Sequence, residues 1–242
     1  MSQSVFRFVA GGVSLAIGSA FAGAPATEVA ETVVTATRTP VQAASLTRDV
    51  SVITRDDIAR AGPTSLPELL SREAGIEFAS NGGDGRQSSL FIRGTNSNQS
   101  VVLIDGVRVV SATTGATALE QIPLEQIERI EIVRGPVSGL YGADAIGGVI
   151  QIFTRKGIPG LKVDAFSGVG SWGAFQANAG VSGGDEYWRF RVEGGRDSAR
   201  GFSTQRDGTN QDADKDGYYN NHAAAALSFL PAKGHELGLT YR

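Results

Sequence analysis

The last third of the chain alternates apolar and polar residues in five segments, and this period of two predicts β-strands with one apolar and one polar face. The segments have the length that spans an outer membrane when tilted, ~9–11 residues per strand. Links at 182–185 and 231–234 are short, whereas residues 194–217 form a long polar loop, an asymmetry typical of a transmembrane β-barrel. A soluble antiparallel sandwich would alternate in the same way. The apolar positions are Leu161, Val163, Ala165, Phe175, Ala177, Ala179, Val181, Trp188, Phe190, Val192, Ala223, Ala225, Leu227, Phe229, Leu237, Leu239 and Tyr241.

The preceding part of the chain mixes short strands, short helices and glycine turns. Thr54 and Ser65 are the predicted N-caps of two helices, which we expect to end near Gly62 and Glu73. Acidic residues in the first turn favour the first helix, because they complement the helix dipole, and a proline in the first turn favours the start of the second. The pattern predicts a compact domain of several short elements, without naming its fold, whose further strands lie at 50–54, 88–93, 100–104, 129–133 and 149–154.

The N-terminus has the pattern of a cleavable signal peptide. Arg7 supplies a weak positive region, residues 8–17 are apolar or small, and Ala20-Phe21-Ala22 has the small-x-small order of a cleavage site. A short buried helix is the alternative interpretation, but Ser, Gly and Ala dilute the stretch and Gly23-Ala24-Pro25 ends it. The stretch is too short to span a bilayer, which takes ~20 apolar residues. We therefore expect residues 1–22 to be a signal peptide and the chain to be exported.

Composition argues against several classes of function. The net charge is −3 with both signs interspersed, so no basic surface predicts a nucleic-acid partner. Cysteine is absent, which excludes disulfides, thiol nucleophiles and cysteine zinc sites. His222 and His235 are isolated in sequence and no nucleophile has a base at plausible spacing, so we expect no enzyme. Residues 168–173 match Gly-x-Gly-x-x-Gly, but strand alternation follows them, which predicts a turn rather than a dinucleotide site.

Linked motifs within residues 90–154 resemble the plug domain of TonB-dependent outer-membrane receptors, in the order and spacing of that family. They are Leu90–Asn96 (LFIRGTN), Val102–Arg108 (VLIDGVR), Ile132–Pro136 (IVRGP), and Leu140–Val149 (LYGADAIGGV) with Ile152–Thr154 (IFT). Residues 49–70 and 81–85 are similar to the cobalamin-receptor branch in particular. The resemblance implies an α+β plug domain followed by the first ~5 antiparallel strands of a transmembrane β-barrel, an incomplete piece of a plugged 22-stranded one.

The resemblance divides the chain into a signal peptide at 1–22, a periplasmic linker at 23–36, a plug at 37–157 and a truncated barrel start at 158–242. One linker segment resembles the TonB box, which the periplasmic TonB energy-coupling protein captures. Its β-branched residues favour an extended strand that can add to the edge of a partner's sheet, although the first strand of the plug itself is the alternative. The segment consists of Glu31, Thr32, Val33, Val34, Thr35 and Ala36.

The resemblance also implies where substrate binds, namely at extracellular apices of the plug formed by residues 81–88 and 109–117. Arg93 and Arg134 resemble plug arginines that face acidic partners on the barrel wall. The candidate substrate-binding residues are Asn81, Gly82, Gly83, Asp84, Gly85, Arg86, Gln87, Ser88, Val109 and Thr113.

The implied function is transport of cobalamin or a related metal chelate by a receptor that lies among the lipids of the outer membrane. A receptor for ferric siderophores or other metal chelates shares the same plug motifs and stays open as an alternative. From a different class, a soluble periplasmic plug-like binding or signalling module also stays open.

An acidic run within residues 212–217 places carboxylates at alternate positions before a glycine, like the first half of a calcium loop. Ala223 stands where an EF-hand needs its bidentate glutamate, which excludes that motif. Cobalamin receptors hold calcium in an extracellular loop at this place, and a solvated acidic turn is the alternative. The calcium ligands that the resemblance implies are Asp197, at the entrance of the loop, with Asp212, Asp214 and Asp216.

Overall fold

The computed structural model describes residues 49–62, 64–83, 85–111, 115–201 and 216–242, together with the backbone of two short strands before them. These two strands, β1 (Thr32–Val33) and β2 (Val41–Gln42), pair antiparallel with each other. The predicted signal peptide lies outside the described residues.

The plug is built on a mixed five-stranded sheet, in the spatial order β3-β8-β9-β6-β7, and on a separate β4–β5 hairpin. Neighbouring strands are antiparallel except for the parallel pair of β6 and β9. Its elements in chain order are β3 (Val50–Ile53), α1 (Arg55–Ala61), α2 (Leu66–Ser71), β4 (Ile76–Ser80), β5 (Ser88–Ile92), β6 (Ser100–Ile104), β7 (Val107–Arg108), β8 (Ile127–Arg134), α3 (Ser138–Tyr141) and β9 (Gly148–Thr154).

The first two helices begin at the caps that the sequence predicts. The backbone N–H of Asp57 donates to the Thr54 hydroxyl (3.3 Å), and the Asp57 carboxylate accepts from the backbone N–H of Thr54 (2.9 Å), which completes a capping box. The Ser65 hydroxyl accepts from the backbone N–H of Glu68 (3.4 Å). These local hydrogen bonds satisfy N–H groups that a helix start leaves unpaired.

Apolar side chains cover both faces of the central sheet, because successive residues of a strand point to opposite sides. Val102 and Ile104 face the larger cluster, which includes Leu66, Leu69 and Leu70 from α2. Val101 and Leu103 face the smaller one with Val133, Val137, Ala145 and Val149. A sheet buried on both sides explains the continuous apolar run of β6.

Beyond the plug, five strands form an antiparallel meander in which each strand pairs with the next. The outer two, β10 and β14, are the edges of this sheet, and the described strands do not close into a barrel. The strands are β10 (Gly160–Val169), β11 (Phe175–Gly184), β12 (Trp188–Ala199), β13 (Tyr218–Ala232) and β14 (His235–Tyr241).

The meander exposes its apolar face, and its three middle strands bury polar side chains of the opposite face. Leu161 and Val163 are exposed, as are Leu237 and Leu239, whereas on β11, β12 and β13 several polar side chains of the opposite face are buried, namely Asn178, Ser182, Arg191, Glu193 and Ser228. A soluble sandwich buries its apolar face, so this orientation is that of a transmembrane barrel wall. The predicted fold class, a plug followed by an incomplete barrel, is therefore confirmed.

One loop between the strands starts later than the sequence predicts, and one turn is where the sequence predicts it. The loop predicted to start at residue 194 starts after Ala199, because residues 194–199 pair with β13. Gly194 and Gly195 carry no side chain, so the period of two is not visible there. Residues 170–174 form the predicted turn, closed by a hydrogen bond from the Gly170 N–H to the Ala174 carbonyl (2.8 Å).

Within the described ranges, the structure contains no helix that is both long enough and apolar enough to cross a membrane.

Candidate functional site

The two predicted substrate-binding apices meet in the structure. Ser88, at the end of the 81–88 segment, donates a hydrogen bond to the Glu120 carboxylate (2.8 Å), just beyond the second apex. The second apex is closed on itself, since the Thr117 hydroxyl donates to the Val109 carbonyl (2.5 Å). The cavity between the apices measures about 20 Å³, enough for one water molecule. Asp84 and Thr113 lie outside the described residues.

The first apex contacts the start of β13. The Arg86 guanidinium pairs with the Asp216 carboxylate at 2.5 Å. The ring of Tyr218 lies over Gly85, so that a Cβ atom added to this glycine would come within 2.0 Å of the ring. Gly85 also has a φ of +72°, a region that side chains disfavour. Asn81, Arg86 and Gln87 are exposed at the tip of the hairpin.

A larger cleft of about 510 Å³ separates the plug from the barrel strands next to these apices. Four of its lining residues are acidic, namely Glu68, Glu120 and Glu125 from the plug and Asp197 from β12. The 170–174 turn and the start of β13 close the other side. The cleft therefore lies at the end of the strands that also carries the long 200–217 connection.

Of the four predicted calcium ligands, the structure describes only Asp197 and Asp216, so the calcium site stays a prediction. Asp212 and Asp214 lie outside the described residues, and Asp216 pairs with Arg86. Asp197 lies within β12 rather than in the loop, and its Oδ2 atom is 3.5 Å from the Nδ1 atom of His222 on β13. With Glu125, these two residues form a group whose candidate ligand atoms all lie within 4.8 Å of one another.

Sequence reasoning missed Glu125 and treated His222 as isolated, which is wrong for the folded chain. The β12–β13 register pairs His222 with Gly195 and Asn220 with Asp197, so the histidine and the aspartate are diagonal neighbours on one face. The sequence prediction ended β12 before residue 194, so it could not place Asp197 beside β13.

Arg93 and Arg134 pair within the plug. Arg93 contacts Asp49, and Arg134 contacts Asp49 (3.2 Å), Glu73 (3.1 Å) and the Ser51 hydroxyl (2.8 Å). Among the described residues, their acidic partners are therefore not on the barrel strands, where the prediction placed them. A pairing with further barrel strands stays a prediction.

Other residues form the ion pairs between the plug and the strands. Arg155 pairs with Asp164 on β10 (2.9 Å), and Asp164 also pairs with Arg191 on β12 (3.1 Å). Arg191 in turn pairs with Glu193 at 2.6 Å. The alternating charges of β12 were visible in the sequence, but their plug partner was not. Further contacts join Lys156 to Glu236 (2.9 Å) and Asp105 to Arg242.

The segment that resembles the TonB box is described only at Thr32 and Val33, whose backbone forms β1. Residues 31 and 34–36 lie outside the described residues. An extended backbone is what capture by a partner's sheet edge requires. The pairing of β1 with β2 equally fits a first strand of the plug, so the assignment to a TonB box stays a prediction.

Comparisons with known proteins agree on the plug. Residues 42–149, inside the predicted plug at 37–157, match the family model described as the TonB-dependent receptor plug domain. The vitamin B12 transporter BtuB of Vibrio cholerae serotype O1 (strain ATCC 39541 / Classical Ogawa 395 / O395) is 40% identical over 193 residues. The match covers 79% of this chain and 31% of that relative.

Solved structures share the fold. The siderophore receptor PirA from Pseudomonas aeruginosa is 25% identical with a TM-score of 0.60, over 79% of this chain and 32% of its own. The ferric yersiniabactin uptake receptor FyuA from Yersinia pestis is 22% identical with a TM-score of 0.65, over 80% of this chain and 30% of its own. The chain thus spans about a third of the length of these proteins. It belongs to the TonB-dependent receptor family, of which it carries the plug domain and the antiparallel strands that follow.

Proposed function

We propose that this chain is part of an outer-membrane receptor that binds a cobalamin-like substrate and takes it up when the TonB protein supplies energy. The observation that carries the proposal is the 40% identity with a vitamin B12 transporter over 79% of the chain. The two siderophore receptors are 22% and 25% identical to this chain. Identity at this level indicates a shared fold and carries little information about a shared ligand.

The position of the apices supports this function. They meet at the end of the strands that carries the 200–217 connection, and the cleft of about 510 Å³ opens beside them. Exposed amide, guanidinium and backbone groups at Asn81, Arg86 and Gln87 offer hydrogen bonds to a large polar ligand. The exposed apolar face of the strands fits contact with lipid tails, which supports a place in the outer membrane.

The contacts between plug and strands are compatible with movement of the plug. The Lys156–Glu236 and Arg86–Asp216 pairs each have a side chain that is more than half exposed. Exposed pairs of this kind contribute only about 0–1 kcal/mol each. These two contacts therefore cost little to break when the coupling protein pulls on the linker, whereas the largely buried Arg155–Asp164 pair is the contact that holds the plug to β10.

Coupling between substrate and TonB needs a difference in affinity. Substrate can favour exposure of residues 31–36 only if it binds more tightly to the plug state in which they are exposed. The hydrogen bond between Ser88 of the first apex and Glu120, just beyond the second, is a contact that substrate binding could change.

A receptor for ferric siderophores is the second candidate, because several solved siderophore receptors share the fold. The two candidates differ in ligand and not in mechanism. The soluble periplasmic module is disfavoured, because such a protein would expose the apolar face of β10–β14 to water.

The test is growth of a bacterial host that lacks its own vitamin B12 receptor and receives the full-length receptor that includes this chain. We expect growth that depends on added cyanocobalamin in a host with TonB, and none in a host without it. TonB-dependent growth on a ferric siderophore as sole iron source, without growth on cyanocobalamin, would favour the second candidate. Growth on cyanocobalamin that does not need TonB would contradict the coupling mechanism.

Calcium in the 197–217 region stays part of this proposal. Bringing Asp216 into a calcium site requires its carboxylate to be shared with Arg86 or released from it. We expect calcium to raise substrate affinity of the full-length receptor relative to chelator, and the double substitution Asp214→Ala plus Asp216→Ala to remove that difference. An equal calcium effect in both proteins would show that the region is only an acidic turn.

A further inference from the structure

We propose that Glu125, Asp197 and His222 bind a divalent transition-metal ion between the plug and the barrel wall. Glu125 belongs to the 3₁₀ turn Leu124–Gln126 of the plug, whereas the other two residues belong to β12 and β13. One ligand atom from each residue lies within 4.8 Å of the other two. An ion held there would join the plug directly to two strands of the wall.

The distances fit such an ion after a small closure of the group. Ligands at ~2.0–2.2 Å from a zinc ion in tetrahedral arrangement lie roughly 3.3–3.6 Å from one another. The Nδ1 atom of His222 is 3.5 Å from the Oδ2 atom of Asp197, which is already within that range. Glu125 must approach from the side of the cleft, where its side chain is only half-buried. Three protein ligands leave a fourth position for water.

The histidine gives an independent reason for an ion. Its side chain is 7% exposed, and among the described residues its buried Nδ1 atom has no hydrogen-bond partner. Buried polar groups in folded proteins are almost always paired, so this nitrogen, which points toward a carboxylate, needs an explanation. A metal ion bound to the Nδ1 lone pair would satisfy it.

The charges around the group also favour a cation. Two carboxylates face one another here, and the described ranges show no ion pair of a lysine or arginine with either, although the Arg55 guanidinium, bound to the Leu124 carbonyl (2.9 Å), interacts with Glu125 from a greater distance. Glu68 and Glu120 line the same cleft and add negative charge along the path by which an ion would enter. Like charges held this close repel each other unless a cation lies between them.

A second residue can fix the orientation of the imidazole. The Nε2 atom of His222 is 3.4 Å from the side-chain amide of Asn178 on β11. An imidazole that binds metal through Nδ1 carries its proton on Nε2, and it donates that proton to an oxygen nearby. The Asn178 side-chain amide presents its oxygen to Nε2 when it is rotated by 180°. This rotation exchanges the amide nitrogen and oxygen and leaves the shape of the side chain nearly unchanged.

The ligand types select the class of metal. One imidazole and two carboxylates suit zinc, cobalt, iron or nickel. Calcium takes six to eight oxygen ligands and does not favour imidazole. The proposed site is therefore chemically distinct from the calcium loop proposed above, although Asp197 was assigned to that loop on the sequence alone.

The experiment uses the full-length receptor in detergent, stripped of metal with chelator and dialysed. Titration calorimetry with Zn²⁺ and the visible spectrum with Co²⁺ are recorded for the parent, Glu125→Gln and His222→Gln. His235→Gln is the matched control, because this second histidine of the chain is exposed on β14. We expect one saturable site in the parent and in the control. The metal affinity of Glu125→Gln and His222→Gln should be at least ~10-fold lower, since even substitutions of residues that only hydrogen-bond to metal ligands reduce the affinity that much.

Two further measurements keep the outcome decisive. The far-ultraviolet circular dichroism spectrum without added metal shows whether each variant is folded. If His222→Gln does not fold, Glu125→Gln decides, because Glu125 lies at the edge of the cleft. Calcium titration should give the same result for His222→Gln as for the parent. Absence of saturable Zn²⁺ binding in the parent, or equal Zn²⁺ affinity in the parent and a folded variant, would overturn the site. Neither result bears on which substrate the receptor carries.

Discussion

At the residue scale, two arginines in similar sequence surroundings have different roles. Arg93 and Arg134 each precede a glycine and each contact Asp49. The side chain of Arg93 is 50% exposed, whereas that of Arg134 is 2% exposed and reaches two carboxylates and a hydroxyl. The sequence showed that both are plug arginines, but their partners come from segments more than 40 residues away and could not be identified without the fold.

We expect Arg134→Met to destabilise the plug by about 2–4 kcal/mol, because it removes several charge-assisted hydrogen bonds worth roughly 1.5–3 kcal/mol each, partly offset by hydration of the freed carboxylates. Arg93→Met is the matched control and should cost less than about 1 kcal/mol, as is usual for an exposed pair. The measurement is the urea concentration at which plug amides lose protection from hydrogen exchange in the full-length receptor. Equal effects of the two substitutions would contradict this assignment.

At the element scale, the sequence predicted the features that depend on neighbouring residues and missed those that depend on pairing. The two capped helices were found because the N-cap signal is local, a capping box in α1 and a serine cap in α2. β4 was not predicted, since only its first residue is buried and its formation depends on β5. The extension of β12 to Ala199 was also missed. It depends on pairing with β13, and glycines occupy positions where the alternation of side chains would otherwise show.

The α1 cap predicts a pH dependence. The hydrogen bond from the Thr54 hydroxyl, followed by that from its backbone N–H, lowers the pKa of Asp57. A lowered pKa means that the ionised carboxylate stabilises the folded helix above the pKa of an unfolded aspartate, about 4. This contribution is lost as the pH falls through the lower folded-state pKa.

Asp57→Asn should therefore reduce the hydrogen-exchange protection of α1 amides in the full-length receptor at pH 7, and the difference from the parent should shrink as the pH is lowered below 4. Asp56→Asn is the control, because this residue lies in the same first turn but outside the capping box. A difference for Asp57→Asn that stays constant from pH 7 to pH 3 would show that the carboxylate charge is not responsible.

The linker supplies a second prediction at this scale. Val34→Pro removes a backbone N–H and fixes φ in the segment that resembles the TonB box. We expect substrate binding by the full-length receptor to be unchanged and TonB-dependent uptake to be lost, because strand addition uses backbone hydrogen bonds. If the variant shows both normal substrate binding and normal uptake, residues 31–36 are not the TonB box.

At the scale of the whole molecule, the sequence alone left a barrel wall and a soluble sandwich open, because both alternate. The fold separates them, since the polar row of Arg191 and Glu193 faces the plug and the row of Leu237 and Leu239 does not. The ion pairs of Arg155 and Lys156 with the strands could not have been predicted, because they depend on how the plug sits against the wall. The same is true of the Glu125–Asp197–His222 group, which draws on the plug and two strands.

The central claim is that this plug and its strands form part of a receptor for a cobalamin-like substrate. Its most direct test is equilibrium binding of labelled cyanocobalamin to membranes that contain the full-length receptor, with unlabelled cyanocobalamin or ferric enterobactin as competitor. We predict saturable binding that cyanocobalamin displaces and ferric enterobactin does not. Absence of saturable cyanocobalamin binding, together with saturable binding of a ferric siderophore to the same membranes, would contradict the claim.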